Sequence, residues 1–178
     1  ALAAAGMSLP RMLAEHPNVQ RKKWRIGHHF WNWDHRWNQP QYFDERLRLT
    51  RETGYAGFEA KPSEIGLPAE VVRERVVRAG LEFAAVGAGP KDGIPYAVTV
   101  GAKYLRTGVA KEESARWVAE AAAQGISLVV HPHVGTAAQR GSVETREELL
   151  GYLEERPGMF ACPDTGHLAL CGSDPVQT

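Results

Sequence analysis

Short apolar runs alternate along most of the chain with longer segments of helical periodicity. Each run is followed by polar turn residues and then by a helix-length stretch, a pattern typical of β-strands and α-helices that alternate around a parallel sheet. The pattern therefore predicts an α/β fold with six parallel strands. The six runs lie at residues 24–31, 55–60, 81–89, 103–108, 126–133 and 159–164.

Five helices are predicted between these strands. Phe43 and Leu47 fall on one face of the first helix, as expected for an amphipathic helix packed on a sheet. Thr145 and Glu148 have the spacing of a capping box and mark the start of the fifth helix. Residues 90–102 supply less than a full amphipathic pattern, which predicts a shortened or partly missing third helix.

The composition favours one domain and argues against a nucleic-acid partner. The chain has 178 residues, with 21 Lys and Arg against 21 Asp and Glu, so its net charge is zero. Without a basic field there is little to hold a phosphate backbone. The two cysteines, Cys162 and Cys171, suit neither a disulfide framework nor a zinc knuckle, and we interpret them as packing residues.

The first residues of the chain allow two interpretations. Residues 1–16 are small, apolar and uncharged up to Arg11, as in the second half of an export signal, and equally as in a helix packed under the domain. The first interpretation predicts a periplasmic protein and the second a cytoplasmic one. We therefore treat residues 1–23 as an N-terminal segment before a domain at 24–178. No stretch approaches the roughly 18 apolar residues of a membrane span.

Titratable side chains occur where almost every predicted strand ends. In folds built from βα units the ligand site lies beyond the carboxyl ends of the strands, so we expect these side chains to surround one shared site. They are His28, His29, Glu59, Arg106, His131, His133, Asp164 and His167.

Imidazole and carboxylate groups from several strands suit a divalent transition metal. His131 and His133 are separated by one residue, so on an extended chain they point the same way. Any one of these histidines alone is better explained as an ordinary core or surface residue. Together with Asp164 and His167 they favour a metal site.

The aromatic stretch "HHFWNWDHRWN" also has two interpretations. Its rings pack in the core, or they form a wall against the apolar face of a sugar ring. We favour a mixture in which Trp31 or Trp33 faces the site beside His29.

The segments "LVVHPHVGT", "VET" and "DTGHLALCGSDP" resemble the xylose-isomerase-like barrels of the sugar phosphate isomerases and epimerases, in particular the branch that contains inosose dehydratase. "IGHHFWNW" and "TGYAGFEA" are similar to the first two strands of that family. The resemblance implies a (β/α)8 TIM barrel with one divalent ion at its mouth, commonly Mn²⁺ or Co²⁺, with Zn²⁺ and Mg²⁺ as alternatives. It also implies a small-molecule substrate, a sugar or a cyclitol.

The resemblance assigns expected roles to individual residues. Asp164 corresponds to a metal ligand, and His131 stands where the family has a glutamate, so we expect it to serve as a ligand instead. Glu144 is then expected to supply a carboxylate from the next loop. The expected catalytic residues are Glu144, His133 and His167, and the expected substrate-binding residues are His29, Trp31, Trp33, Glu59 and Arg106.

The sequence departs from the family pattern at its end. Family members carry a further His and Glu ligand on the seventh and eighth strands, whereas this sequence stops at Thr178, soon after the sixth predicted strand. We therefore expect a fragment of a barrel, with about six βα units present.

The expected reaction is metal-assisted removal of a proton next to a carbonyl, giving isomerisation, epimerisation or dehydration of a keto-sugar or keto-inositol. A second hypothesis is a non-catalytic sugar- or partner-binding barrel. A third, cleavage of abasic DNA, needs more metal ligands and a basic groove, and the neutral charge counts against it. The sequence leaves a homo-oligomer open.

Overall fold

The computed structural model describes residues 25–30, 34–135, 143–174 and 176–177. The N-terminal segment 1–23 and the candidate substrate-binding residues Trp31 and Trp33 lie outside the described residues. Among the helices that are described, none is long and apolar enough to cross a membrane.

Six strands form one sheet in which every neighbouring pair is parallel, in the sequential order β1 to β6. This confirms the predicted strand number and direction. The strands are β1 (Gly27–His29), β2 (Gly57–Ala60), β3 (Glu82–Gly87), β4 (Tyr104–Arg106), β5 (Ser127–Val130) and β6 (Phe160–Ala161).

A helix follows each strand. Helices α1 to α5 connect successive strands, as predicted, and α6 is a short additional helix after β6 that the apolar pattern did not reveal. The helices are α1 (Phe43–Glu52), α2 (Ala69–Arg78), α3 (Pro90–Val100), α4 (Lys111–Ala123), α5 (Arg146–Glu154) and α6 (Thr165–Leu170).

The expectation of a shortened third helix is wrong, because α3 is a complete helix of 11 residues. Pro90 starts it with a backbone already fixed in a helical φ. Gly93 then lies so close to β4 that a β-carbon there would be 2.6 Å from Leu105 Cδ1. The buried face consists of Gly93, Ile94, Ala97 and Val100. Gly93 and Pro95 are poor helix formers, so the sequence pattern understates this helix.

The core lies between the sheet and the helices. Phe43 and Leu47 of α1 are buried together, as their spacing predicted. Phe30, just beyond β1, stacks on Phe58 of β2 with ring centroids 4.1 Å apart. The predicted capping box of α5 is also present, with the Thr145 hydroxyl accepting from the Glu148 amide at 3.2 Å.

The sheet is an open part of a barrel. In the described part of the chain, β1 pairs only with β2 and β6 only with β5, so the two outer strands do not meet. Because all strands run in one direction, their carboxyl ends lie along one edge of the sheet. That edge carries the candidate site.

Candidate active site

Two groups of polar side chains lie at the carboxyl edge of the sheet. The first, here called the salt-bridge cluster, consists of His29, Glu59 and Arg106. The second, here called the donor cluster, consists of His131, Asp164 and His167. Every member of the two clusters was predicted from its place near the end of a strand.

The parallel register assembles the salt-bridge cluster. His29 of β1 is paired with Glu59 of β2, and His29 Nε2 lies 3.3 Å from Glu59 Oε1. Arg106 reaches the same carboxylate from β4, with its Nε donating to Glu59 Oε1. Its Nη2 lies 3.1 Å from His29 Nε2. The three half-buried side chains therefore tie β1, β2 and β4 together.

Glu59 is an anion in this cluster. Burial opposes its ionisation, but the hydrogen bond with His29 and the charge of Arg106 outweigh burial and hold the pKa of Glu59 below its ordinary value. A carboxylate with a low pKa is a weak base near neutral pH. Glu59 is thus suited to holding Arg106 and His29 rather than to accepting a proton.

Gly87 lets Arg106 reach Glu59 across the intervening strand. Gly87 of β3 and Arg106 of β4 are paired in the register of these two strands. A β-carbon at position 87 would lie 2.8 Å from Arg106 Nη2 and 3.2 Å from Lys61 Cγ. Any side chain here would displace the guanidinium, so the missing β-carbon is what opens the path.

Asp164 organises the donor cluster because its two carboxylate oxygens have different partners. Oδ1 caps α6 and accepts a hydrogen bond from the His167 amide at 2.8 Å. Oδ2 faces two imidazoles, 3.6 Å from His131 Nε2 and 3.9 Å from His167 Nε2. Burial opposes ionisation of Asp164, but the His167 amide and both imidazoles lower its pKa below the ordinary value.

The donor cluster fits a divalent metal ion. One ligand atom from each of the three side chains lies within 4.8 Å of the other two. The spacings of 3.6 and 3.9 Å exceed hydrogen-bond lengths. They are close to the separation of about 3–3.5 Å between adjacent ligand atoms around one ion with bonds of about 2.0–2.2 Å. Two imidazole nitrogens and one carboxylate oxygen are donors that zinc, manganese and cobalt accept.

His131 is in the protonation state that a ligand needs. Burial and the nearby charge of Arg106 lower its pKa, against the opposing effects of Asp164 and Glu59. Its ring is therefore neutral near neutral pH, with a lone pair available. The influence of Arg106 and Glu59 on His131 also indicates that the two clusters act on one another electrostatically.

His133 lies against the donor cluster. Its ring stacks on that of His167, with centroids 4.2 Å apart and planes 33° apart. His133 Nδ1 lies 2.8 Å from the Val134 carbonyl oxygen. A carbonyl only accepts, so Nδ1 carries the hydrogen and Nε2 of the neutral ring is the basic nitrogen.

His167 has the opposite arrangement of its ring nitrogens. The Val134 amide donates to His167 Nδ1 over 3.4 Å. In the neutral ring, the hydrogen is then on Nε2, a state suited to donating a hydrogen bond. The same backbone residue therefore orients two neighbouring imidazoles as a base and as a donor. His167 would bind an ion through Nε2 only as the other tautomer, so His131 and Asp164 are the members of the donor cluster that can bind one without this change.

Two other predicted residues lie elsewhere. His28, beside His29 in the sequence, has its side chain on the opposite face of β1, with Nε2 2.8 Å from Thr50 Oγ1 and its ring against Phe30. Glu144 lies in the loop before α5, where its Oε1 accepts from the Gly135 amide at 2.9 Å, and it is not a member of the three-residue donor cluster. Its catalytic role stays a prediction.

Sequence reasoning missed three residues near the site: Lys61, Gly87 and Tyr152. Lys61 directly follows β2, so the strand-end rule that found Glu59 would have found it one step later. Tyr152 comes from α5, and its hydroxyl bonds both the amide and the carbonyl of Val109, at 2.8 and 3.1 Å. No strand-end pattern points to a helix residue of this kind.

Comparison with known proteins identifies the fold. No protein-family model matches the chain, and no curated protein is significantly similar to it. A crystal structure of an AP endonuclease of family 2 from Brucella melitensis aligns with a TM-score of 0.66 at 18% identity, over 84% of this chain and 72% of that one. L-ribulose 3-epimerase aligns with a TM-score of 0.65 at 16% identity, over 82% of this chain and 62% of that one.

A sugar phosphate isomerase/epimerase from Parabacteroides distasonis gives a similar result, with a TM-score of 0.65 at 14% identity, over 86% of this chain and 72% of that one. At these identities the likeness concerns the fold, which is that of the xylose-isomerase-like TIM barrels. The chain spans 62–72% of the length of the three structures. The predicted fold class is confirmed as part of such a barrel.

Proposed function

We propose that the protein is a divalent-metal-dependent isomerase or epimerase of keto-sugars, with dehydration of a keto-inositol as the variant that shares its first step. One observation carries this proposal. Asp164 directs one carboxylate oxygen at the imidazoles of His131 and His167, at the edge of the sheet where barrel enzymes bind their substrates. The sugar epimerases among the similar structures support the same class of reaction.

His131 and Asp164 are the residues that would hold the ion. The first is neutral and the second ionised near neutral pH, so neither needs to lose a proton on binding. A bound divalent ion would supply positive charge next to the substrate's oxygens. The cap of α6 fixes the rotamer of Asp164, which keeps Oδ2 turned towards the site.

His133 is the proposed base. Its Nε2 carries the free lone pair, because Nδ1 is bonded to the Val134 carbonyl. In the proposed step, Nε2 takes a proton from the carbon next to the carbonyl, and the bonding electrons pass to the carbonyl oxygen. A proton given to the opposite face of the same carbon by a second group, for which Glu144 is the candidate, produces an epimer. A proton given to the former carbonyl carbon, while the neighbouring hydroxyl loses its own proton and becomes the new carbonyl, produces an isomer.

His167 is the proposed hydrogen-bond donor to the substrate. Its Nε2 carries the hydrogen when Nδ1 accepts from the Val134 amide. A donor here would stabilise the negative charge that develops on the substrate oxygen. Stacking at 4.2 Å keeps base and donor side by side. Glu144 is retained as a further candidate for proton transfer.

The salt-bridge cluster is the proposed substrate-binding part of the site. Arg106 is held by Glu59 and His29, so its position is fixed before a substrate arrives. Trp31 and Trp33 remain candidates for the apolar wall. Cleavage of abasic DNA is not favoured, although an AP endonuclease shares the fold, because 21 positive and 21 negative residues leave no basic field for a phosphate backbone.

The reaction class is tested by product analysis. The purified protein with Mn²⁺ or Co²⁺ is incubated with a panel of ketohexoses and a keto-inositol, and new sugars are identified by NMR. The proposal predicts turnover of at least one compound and a loss of about 100-fold or more in His133→Gln. His28→Gln, which changes an imidazole on the opposite face of β1, should keep its activity. A metal-loaded protein that converts none of the panel would favour the binding-protein hypothesis.

A further inference from the structure

An open cavity of about 540 Å³ lies beside the donor cluster. Its walls come from the carboxyl ends of β2, β3, β4 and β5, with His131 on one side. The size is within the range of pockets that hold small molecules. A substrate held at His131 would therefore extend into this cavity.

The charged side chains in the described lining of the cavity are two cations. Lys61 follows β2 and Arg106 ends β4, and the described lining contains no Asp or Glu. The acidic residues in the first turns of α3 and α4, the helices that follow β3 and β4, are exposed and do not line it. They are Asp92, Glu112 and Glu113.

Arg106 keeps one end of its guanidinium available. Nε is bonded to Glu59 and Nη2 lies against His29, at 3.1 Å. Nη1 makes no hydrogen bond with any residue that the structure describes. Glu59 offsets the charge of Arg106 but occupies only one edge of the planar group, so Nη1 can still donate to a ligand.

Lys61 and Arg106 approach each other at Gly87. The Lys61 Cγ and the Arg106 Nη2 both lie within about 3.2 Å of where a β-carbon of Gly87 would be, at 3.2 and 2.8 Å. The Lys61 backbone is fixed by the amide hydrogen bond to Glu64 Oε2 at 2.8 Å. The stem of Lys61 and the guanidinium of Arg106 thus both lie against one glycine, and both residues line the cavity, so that two positive charges are offered to the oxygens of one anion.

We propose that this cavity binds an oxyanion, a carboxylate or a phosphate, at the end of the substrate that is distant from the donor cluster. The inference rests on the proposed function and narrows it: the preferred substrates are sugar acids or sugar phosphates rather than neutral ketoses. Lys61 and Arg106 bind the anion, and Glu59 and His29 hold Arg106 in place for it.

The test compares a neutral polyol with two related polyols that each carry one anionic group. D-glucitol, D-gluconate and D-glucitol 6-phosphate are titrated into the purified protein by calorimetry at low ionic strength. None of the three has a ketone or aldehyde group, so the result does not depend on turnover. The proposal predicts that at least one anion binds about tenfold or more tightly than D-glucitol. Whichever of the two anions binds more tightly shows whether the cavity prefers a carboxylate or a phosphate.

Three variants link this preference to the cavity. Lys61→Gln should lower the anion affinity by about tenfold, and Lys61→Arg should keep most of it because the charge is retained. Lys91→Gln removes the same charge from an exposed residue of α3 outside the cavity and should leave the affinity unchanged. Lys61 is itself exposed, so its variants are expected to fold.

Several results would overturn the proposal. Equal binding of the neutral and anionic polyols would do so, as would no binding of either anion. An equal loss in Lys61→Gln and Lys91→Gln would show a general charge effect instead of a site. Anion binding without turnover of any sugar would uphold the cavity assignment while removing the proposed reaction.

Discussion

Oδ2 of Asp164 lies 3.6 Å from Nε2 of His131, while the other oxygen of the same carboxylate caps α6. One oxygen of the carboxylate therefore caps a helix, and the other faces the imidazoles and is the proposed metal ligand. The two tasks can be separated by mutation, because Asn caps helices about as well as Asp but lacks the negative charge.

Asp164→Asn should lower the affinity for a divalent metal by about tenfold or more, because the carboxylate charge at the site is lost. Its thermal stability should stay close to that of the wild type. Asp164→Ala should show the same loss of metal affinity as Asp164→Asn. It should also be about 1 kcal/mol less stable than the wild type, because the helix cap is removed. Elemental analysis and thermal melting of both variants make the measurement. Full metal occupancy in Asp164→Asn would remove Asp164 from the ligands.

Gly87→Ala should destabilise the protein by about 1–3 kcal/mol, because its β-carbon would lie 2.8 Å from Arg106 Nη2, which Glu59 and His29 hold in place. Gly151→Ala is the matched control. Position 151 is in α5 and a β-carbon there meets nothing within 4 Å, so this change should stabilise the helix by about 0.5–1 kcal/mol. Denaturation in urea compares the two. If Gly87→Ala were as stable as Gly151→Ala, Arg106 would be able to move aside without destabilising the protein.

Tyr152→Phe should lower the free energy of unfolding by about 1–3 kcal/mol, because the amide of the buried residue Val109 loses its hydrogen-bond acceptor. The loop after β4, which follows Arg106, should loosen, and the Val109 amide should exchange with deuterium faster. Tyr104→Phe removes a hydroxyl from a ring that is 48% exposed and should change stability by no more than about 0.5 kcal/mol. Unchanged exchange at Val109 in Tyr152→Phe would contradict the proposed anchoring.

The strand ends could be predicted from the sequence because apolar runs and the polar residues after them are local features. Helix α3 could not, since its packing depends on the close approach of Gly93 to Leu105, which only the folded chain reveals. The opposite sides taken by His28 and His29 follow from strand alternation, but the sequence does not say which of the two faces the site. Lys61 and Tyr152 belong to the site through the register of β2 and the packing of α5.

The stability of the protein should fall in mild acid, in part through His28. Burial is the main cause that lowers the pKa of this ring below its ordinary value of 6.5, so the folded state binds a proton less readily than the unfolded one. Above pH 6.5 the His28 ring is neutral in both the folded and the unfolded state, and His28 then causes no loss of stability through protonation. As the pH falls from 6.5 through the lower pKa of the folded state, the unfolded state binds the proton first, and the free energy of unfolding decreases.

His28→Gln cannot titrate, so its unfolding free energy should decline less between pH 7 and pH 5 than that of the wild type. The difference in slope should reach at most about 1.4 kcal/mol per pH unit, the value for one proton. Urea denaturation at a series of pH values measures both slopes. Identical slopes would mean that His28 binds protons alike in the folded and unfolded states.

The most direct test of the proposed chemistry is hydrogen exchange at the carbon next to the carbonyl. The purified protein with Mn²⁺ is incubated in deuterated water with keto-sugars that do and do not carry a carboxylate or phosphate, and deuterium in the recovered sugar is measured by NMR. The proposal predicts incorporation at that carbon even where net conversion is slow, and little incorporation with Asp164→Asn or His133→Gln. Absence of exchange from every sugar in a protein shown to hold the metal would contradict it.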